Sequence, residues 1–111
     1  MFKNDEVMTA TLHIEHEITD YTTWKEAFDR FADARSQAGV TDHRIRLAED
    51  NYRQIVIDLD FDSTARAHAF AAFLHRSVWG TSNSPALAGT PTTRILVRPA
   101  DHEPPPDGAC R

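Results

Sequence analysis

The sequence predicts an α+β domain with one four-stranded, antiparallel-rich sheet and two helices on one of its faces. Three observations carry this expectation. Four stretches alternate apolar and polar residues with period two. Two stretches between them carry apolar residues at helical spacing, each with a capping residue before it and a glycine after it. Their order along the chain is β-α-β-β-α-β.

The first strand runs from Met8 to Ile18. Ala10, Leu12, Ile14, His16 and Ile18 share one face, and Thr11, His13, Glu15 and Glu17 the other. Asp20 is placed to cap the first helix, and Thr23 with Glu26 offers a capping box one turn later. Trp24, Ala27, Phe28, Phe31 and Arg35 follow the 3.6-residue period, and Gly39 supplies the stop, so one helix is expected over about 21–38. A hairpin follows. His43, Ile45 and Leu47 alternate with Arg44 and Arg46, Glu49-Asp50-Asn51 is turn chemistry, and Ile55, Ile57, Leu59 and Phe61 alternate with Val56, Asp58 and Asp60. Ser63 caps a second helix, expected to reach about Trp79, with Phe70, Phe73, Leu74 and Val78 as its apolar stripe. A loop with Ser82, Asn83, Pro85, Gly89 and Pro91 leads to a last strand over 92–98. Residues 1–7 read as an N-terminal extension, 8–98 as the domain, and 99–111, with three consecutive prolines, as a disordered tail.

This element order is the ferredoxin-like arrangement, in which both helices cover one sheet face. Leu12, Ile14, Ile45, Leu47, Ile55, Ile57, Leu59, Ile95 and Val97 form the face to be covered. The opposite face carries Thr11, His13, Glu15, Arg44, Arg46, Val56, Asp58, Arg94 and Leu96. It reads either as a solvated face or as the interface of a dimer in which Arg44, Arg46 and Arg94 pair with Glu15 and Asp58.

Bulk properties narrow the partners. The 111 residues are 41% hydrophobic and 26% charged, with a net charge of −5. Basic residues are scattered among acids with no basic stripe, which argues against nucleic acid or an anionic membrane. No apolar run approaches the roughly 20 residues that span a bilayer. The N-terminus lacks the apolar core of a signal peptide, and the single Cys110 cannot form an internal disulfide, so a cytoplasmic protein is expected.

His16 lies near the end of the first strand, facing the helices, and His43 begins the second strand with the same facing. The two rings are expected to line one cleft. A histidine there is a candidate acid or base, since its free pKa lies near 6.5, or else a hydrogen-bonded residue closing the edge of the core. Tyr21, at the helix start, can aim its hydroxyl at His16 or staple the loop. Leu12, Ile14, Trp24, Phe28, His43, Leu59 and Phe70 are the expected walls of a pocket. Helical spacing alone also accounts for Trp24, Phe28 and Phe31 as core. No metal is expected. His13 and His16 point to opposite faces, and neither a zinc signature nor a cysteine cluster occurs. No phosphate loop, dinucleotide fingerprint or nucleophile elbow occurs either, so no cofactor is expected. The aromatic residues that an RNA-recognition sheet exposes are missing.

The run His16-x-Ile18-x-Asp20-Tyr21-x-x-Trp24-Lys25-x-x-Phe28-Asp29, followed by Arg35 and Gly39, resembles the dimeric α+β-barrel superfamily, in its antibiotic-biosynthesis-monooxygenase-like group. Asp60-Phe61-Asp62-Ser63 leading into a helix with Ala69-Phe70, and Gly89-x-Pro91 before the last strand, resemble it too. The resemblance covers roughly residues 8–98 and lies in a largely uncharacterised branch. It implies a homodimer whose two sheets pack into a barrel, with a ligand pocket between each sheet and its own helices. Some members bind haem through a histidine on the second helix. Here His68 and His75 fall, with Ala72 and Trp79, on a stripe roughly opposite Phe70, pointing away from such a pocket.

Three functional expectations follow. The first is a protein that binds a small apolar or aromatic ligand. The second is a cofactor-independent monooxygenase or cyclase-like enzyme for aromatic or polyketide-like substrates, with His16 moving a proton and Tyr21 orienting a carbonyl or phenol. The third is an assembly or regulatory module without a pocket. The first two require a cavity of roughly 300 Å³ beside His16.

Overall fold

The computed structural model describes residues 9–80 and 86–99. Its elements are β1 (Ala10–Ile18), α1 (Tyr21–Arg30), α2 (Ala32–Ala38), β2 (Val40–Ala48), β3 (Asn51–Phe61), α3 (Thr64–Phe73), a π-helical turn (Leu74–Val78) and β4 (Leu87–Leu96). The expected extension, residues 100–111 of the expected disordered tail with Cys110, and the loop residues Ser82, Asn83 and Pro85 lie outside the described residues.

The strands form one antiparallel sheet in the order β2-β3-β1-β4. The two central strands carry the core. On β1, Leu12, Ile14 and Ile18 are buried. On β3, Ile55, Ile57, Leu59 and Phe61 are buried beside them. Alternation turns all seven toward the helices. The caps fall where chain chemistry places them. Asp20 accepts from the Thr23 amide at 2.8 Å and Ser63 from the Arg66 amide at 3.2 Å. Gly39 ends α2 at φ 97°, a left-handed conformation that only glycine takes without strain.

Three departures from expectation shape the site. The first helix is two helices. It breaks at Phe31 (φ −98°, ψ 17°), where the Phe31 amide bonds the Phe28 carbonyl in a tightened turn and the Arg35 guanidinium folds back onto that same carbonyl. The second helix does not stay α-helical to Trp79. Residues 74–78 form a π turn, closed by the Trp79 amide on the Leu74 carbonyl at 2.7 Å. Such a turn holds one residue more than an α turn, which sets later side chains back by about 100°. The last strand starts five residues early, at Leu87, and is bulged. Glu15 pairs with Thr92 and Glu17 with Ala88, so Gly89, Thr90 and Pro91 stand against His16 alone. Gly89 supplies the left-handed turn (φ 77°) that this bulge needs. Pro91 lacks an N–H and is tolerated because β4 is an edge strand.

The polar face is internally paired. Asp58, buried, accepts from His13 Nδ1 at 2.7 Å and Arg46 at 2.6 Å. Asp60 holds Arg44 through two bonds of 3.0 and 3.1 Å and accepts from the Thr11 hydroxyl at 2.7 Å. Arg44 thus pairs with Asp60 rather than Asp58, and Arg94 has no ion-pair partner among the described residues.

Candidate functional site

A cavity of about 70 Å³ lies between the sheet and the helices. Its floor is Ile14, His16, Ile57 and Leu59 from β1 and β3. Its walls are Trp24, Ala27, Phe28, Phe31 and Arg35 from the α1–α2 corner. Phe70, Leu74, Val78 and Trp79 from α3 and the π turn, with Ala86, complete the lining.

His16 is the titratable group on the floor, 5% exposed. Its Nδ1–H donates to the Glu17 carbonyl at 2.9 Å. A carbonyl only accepts, so Nδ1 carries the proton of the neutral ring and Nε2 keeps its lone pair. Burial pushes the His16 pKa below its ordinary value, and the bond to Glu17 offsets part of this. The ring is therefore a neutral base at physiological pH. The Trp79 ring meets it edge-on, 6.2 Å between centroids.

Arg35 is the cation in the wall. It is 8% exposed, and its guanidinium lies 3.6 Å from the centroid of the Phe28 ring while Nη1 donates to the Phe28 carbonyl. Burial lowers its pKa and the charge of Asp29 raises it. Guanidinium remains charged regardless. Phe28 in turn stacks on Trp24 at 4.9 Å and 23°, so Trp24, Phe28 and Arg35 form a ladder along one wall.

Ile14, His16, Trp24, Phe28, Leu59 and Phe70 are brought together around the cavity. Three other expected residues are not. Leu12 is fully buried in the packed core, beyond the floor. His43 does not share a cleft with His16. β1 and β2 both run antiparallel to β3, so the end of one is not level with the start of the other. His16 is level with Ile55 and Leu47, whereas His43 is level with Leu59 and Leu12. Four residues separate the two rows, about 13 Å along the strands. His43 is exposed on the edge strand, against the outside of Phe28 at 5.4 Å. Tyr21 is 39% exposed and packs on Trp24, three residues along the helix, with ring centroids 6.0 Å apart.

Regular α-helical phase would put Trp79 on the far side of its helix from Phe70. The π turn resets that phase, and Trp79 lines the cavity instead. Its ring is one of five large aromatic walls, with Trp24, Phe28, Phe31 and Phe70, around a cavity well below the expected roughly 300 Å³. His68 and His75 remain exposed, and His75 packs edge-on against Trp79 at 4.9 Å. Among the described residues no group of three His, Cys, Asp or Glu side chains is placed to hold a metal. Arg35 is legible in the sequence only as a charge within an apolar helical stripe, which by itself marks no site.

No protein-family model and no curated protein matches the sequence. Solved structures do match in shape. A candidate antibiotic biosynthesis monooxygenase from Nitrosomonas europaea superposes with a TM-score of 0.62 at 14% identity, over 88% of this chain and 94% of that one. The chain has the ferredoxin-like α+β fold of these proteins. SnoaB, a cofactor-independent oxygenase from Streptomyces nogalater, superposes at 0.55 with 17% identity, over 82% and 91%. A dimeric ferredoxin-like protein from an uncultured marine organism does so at 0.56 with 10% identity, over 82% and 95%. At these identities the similarity is one of fold.

Proposed function

We propose that the protein binds a small aromatic molecule in the cavity between sheet and helices. The observation that carries this reading is an opening in the apolar layer lined among aromatic walls by both His16, whose Nε2 has no hydrogen-bond partner among the described residues, and the buried cation Arg35. About 70 Å³ falls short of the roughly 300 Å³ expected of a ligand pocket, so the cavity as it stands has room for a few waters or a small fragment. A larger ligand requires Trp79 to swing aside, and Trp79 follows a π turn and precedes Gly80 at the end of the helix.

The test uses the two tryptophans of the chain, Trp24 and Trp79, which both line the cavity. Titration with phenol should shift both indole N–H signals saturably in a ¹H–¹⁵N spectrum. Signals that stay fixed while the protein remains folded would contradict binding there.

The His16 tautomer favours a second reading, a cofactor-independent oxygenase or cyclase-like catalyst. A phenolic O–H meeting Nε2 hydrogen-bonds to it, and His16 can take that proton as the ring is oxidised, acting as a general base. SnoaB, with the same fold, is described as a cofactor-independent oxygenase. An enzyme of this kind consumes oxygen with an electron-rich phenol above the spontaneous rate, and His16→Ala abolishes that excess. A pure binder raises the melting temperature with ligand and consumes nothing.

We also infer a homodimer joined through the polar sheet face. Arg94 without an ion-pair partner among the described residues, Leu96 at 41% exposure and the dimeric state named for one structural neighbour support it. Light scattering should give twice the chain mass. The single cysteine supports a reducing compartment, the cytoplasm, as the site of action. No helix among the described residues is long and apolar enough to cross a membrane.

A further inference from the structure

The cavity holds a permanent positive charge for which the described residues provide no counterion. Arg35 forms no salt bridge among them, and the Phe28 carbonyl is its one hydrogen-bond partner there. A guanidinium has five N–H donors, so most are left for something else. Asp29, the acid whose charge reaches Arg35, is tied to Lys25 at 2.8 Å and is itself largely exposed. Proteins ordinarily meet a buried cation with a carboxylate of their own. None of the described side-chain polar atoms is fully buried without a partner, so the free N–H groups of Arg35 reach open space. In this fold the guanidinium is held instead by a ring face and one carbonyl, at the wall of the cavity that also contains His16.

We propose that the ligand is an aromatic anion, a flat ring bearing one carboxylate-type group whose oxygens take the free N–H groups of Arg35. This rests on the cavity being the binding site, and adds the charge of the occupant. The division of labour is physical. Trp24, Phe28 and Phe31 offer ring faces and edges to an apolar body. Arg35 is planar and forked, which matches a carboxylate with two parallel bonds. The ladder with Phe28 fixes the guanidinium before ligand arrives, so little side-chain entropy is lost on binding. His16, neutral and with Nε2 bare, accepts a hydrogen bond from a ring hydroxyl if one is present. A hydroxylated aromatic acid therefore uses both groups, and a neutral aromatic of the same size leaves the cation unpaired.

The experiment compares benzoate with benzamide, its neutral isostere, by the two indole signals of the wild-type protein and of Arg35→Met and Arg35→Lys. Measurements at pH 8 keep His16 neutral, so that Arg35 is the cation being tested. Wild type should bind benzoate at least tenfold more tightly than benzamide, in line with bonds to charged groups worth about 1.5–3 kcal/mol. Arg35→Met should bind the two alike, and Arg35→Lys should retain part of the preference. Equal affinities in wild type, or a preference that survives in Arg35→Met, overturn the proposal. Should Arg35→Met fail to fold because the Phe28 carbonyl loses one of its two donors, the wild-type ratio and the Arg35→Lys ratio still decide. If benzamide or phenol binds and benzoate has no advantage, only the charge assignment falls. If none of the three moves either indole signal, the cavity reading falls with it.

Discussion

Replacing Asp58 by alanine should destabilise the domain by about 2 kcal/mol at neutral pH. The Asp58 carboxylate, 6% exposed, is the shared acceptor of His13 Nδ1 and Arg46. A bond to a charged partner contributes about 1.5–3 kcal/mol. Arg46 is 63% exposed, and water replaces most of what it loses, so its share is no more than about 1 kcal/mol. The remainder comes from His13, whose ring is three-quarters covered. For a domain of this size about 2 kcal/mol lowers the melting midpoint by roughly 8–16 °C. Part of the pH dependence comes from this contact. The bond to Glu15, and after it the bond to Asp58, raises the His13 pKa. A histidine raised on folding contributes stability that is fully present below the unfolded value near 6.5 and is lost as pH climbs through the folded one. The penalty of Asp58→Ala is thus expected to be larger at pH 6 than at pH 9. Urea unfolding of wild type, Asp58→Ala, His13→Ala and the double variant, at several protein concentrations, separates the contact from any pairing of this face. A penalty below about 0.5 kcal/mol at pH 6, or one that grows toward pH 9, would refute the reasoning.

Three further outcomes are expected. Phe61→Ala, at a ring 1% exposed against Phe70, should cost about 3–5 kcal/mol in the same urea experiment, with no change in slope. Gly39→Ala should cost about 1–2 kcal/mol, because φ of 97° strains any side-chain-bearing residue and the new Cβ presses on the Arg66 side chain; a neutral effect in thermal melts would show that α2 ends otherwise. For His16 the sign is opposite to that of His13. Its pKa is depressed by burial, so the unfolded chain binds its proton first and stability rises with pH until about 6.5. In a His13→Ala background, His16→Gln should flatten that rise, and an unchanged slope would place His16 outside the buried layer.

Element order and the facing of every central strand residue were legible because period two is a strong signal and both central strands are buried on one side. Ile14 and Leu59 fall at the cavity by that logic, and Trp24 and Phe70 by the 3.6-residue period of their helices. The misplacements have local causes. Trp79 was missed because one extra residue in a π turn changes helix phase and leaves no mark in hydrophobic spacing. Arg35 was underread because a charge in an apolar stripe shows its meaning only once the Phe28 carbonyl and ring are seen to hold it. The place of His43 depends on strand register, which alternation does not encode: β1 and β2 run the same way, so the end of one lies far from the start of the other. The bulge facing His16 was hidden because Gly89 and Pro91 read equally well as loop.

The most direct test of the account is the ¹⁵N spectrum of the His16 ring at pH 8, with and without phenol. The structure calls for a proton on Nδ1, a bare Nε2, and a response to phenol at Nε2. A ring protonated at Nε2, or a bare Nε2 that phenol leaves unmoved at concentrations that shift the indole signals, would contradict a base facing the ligand.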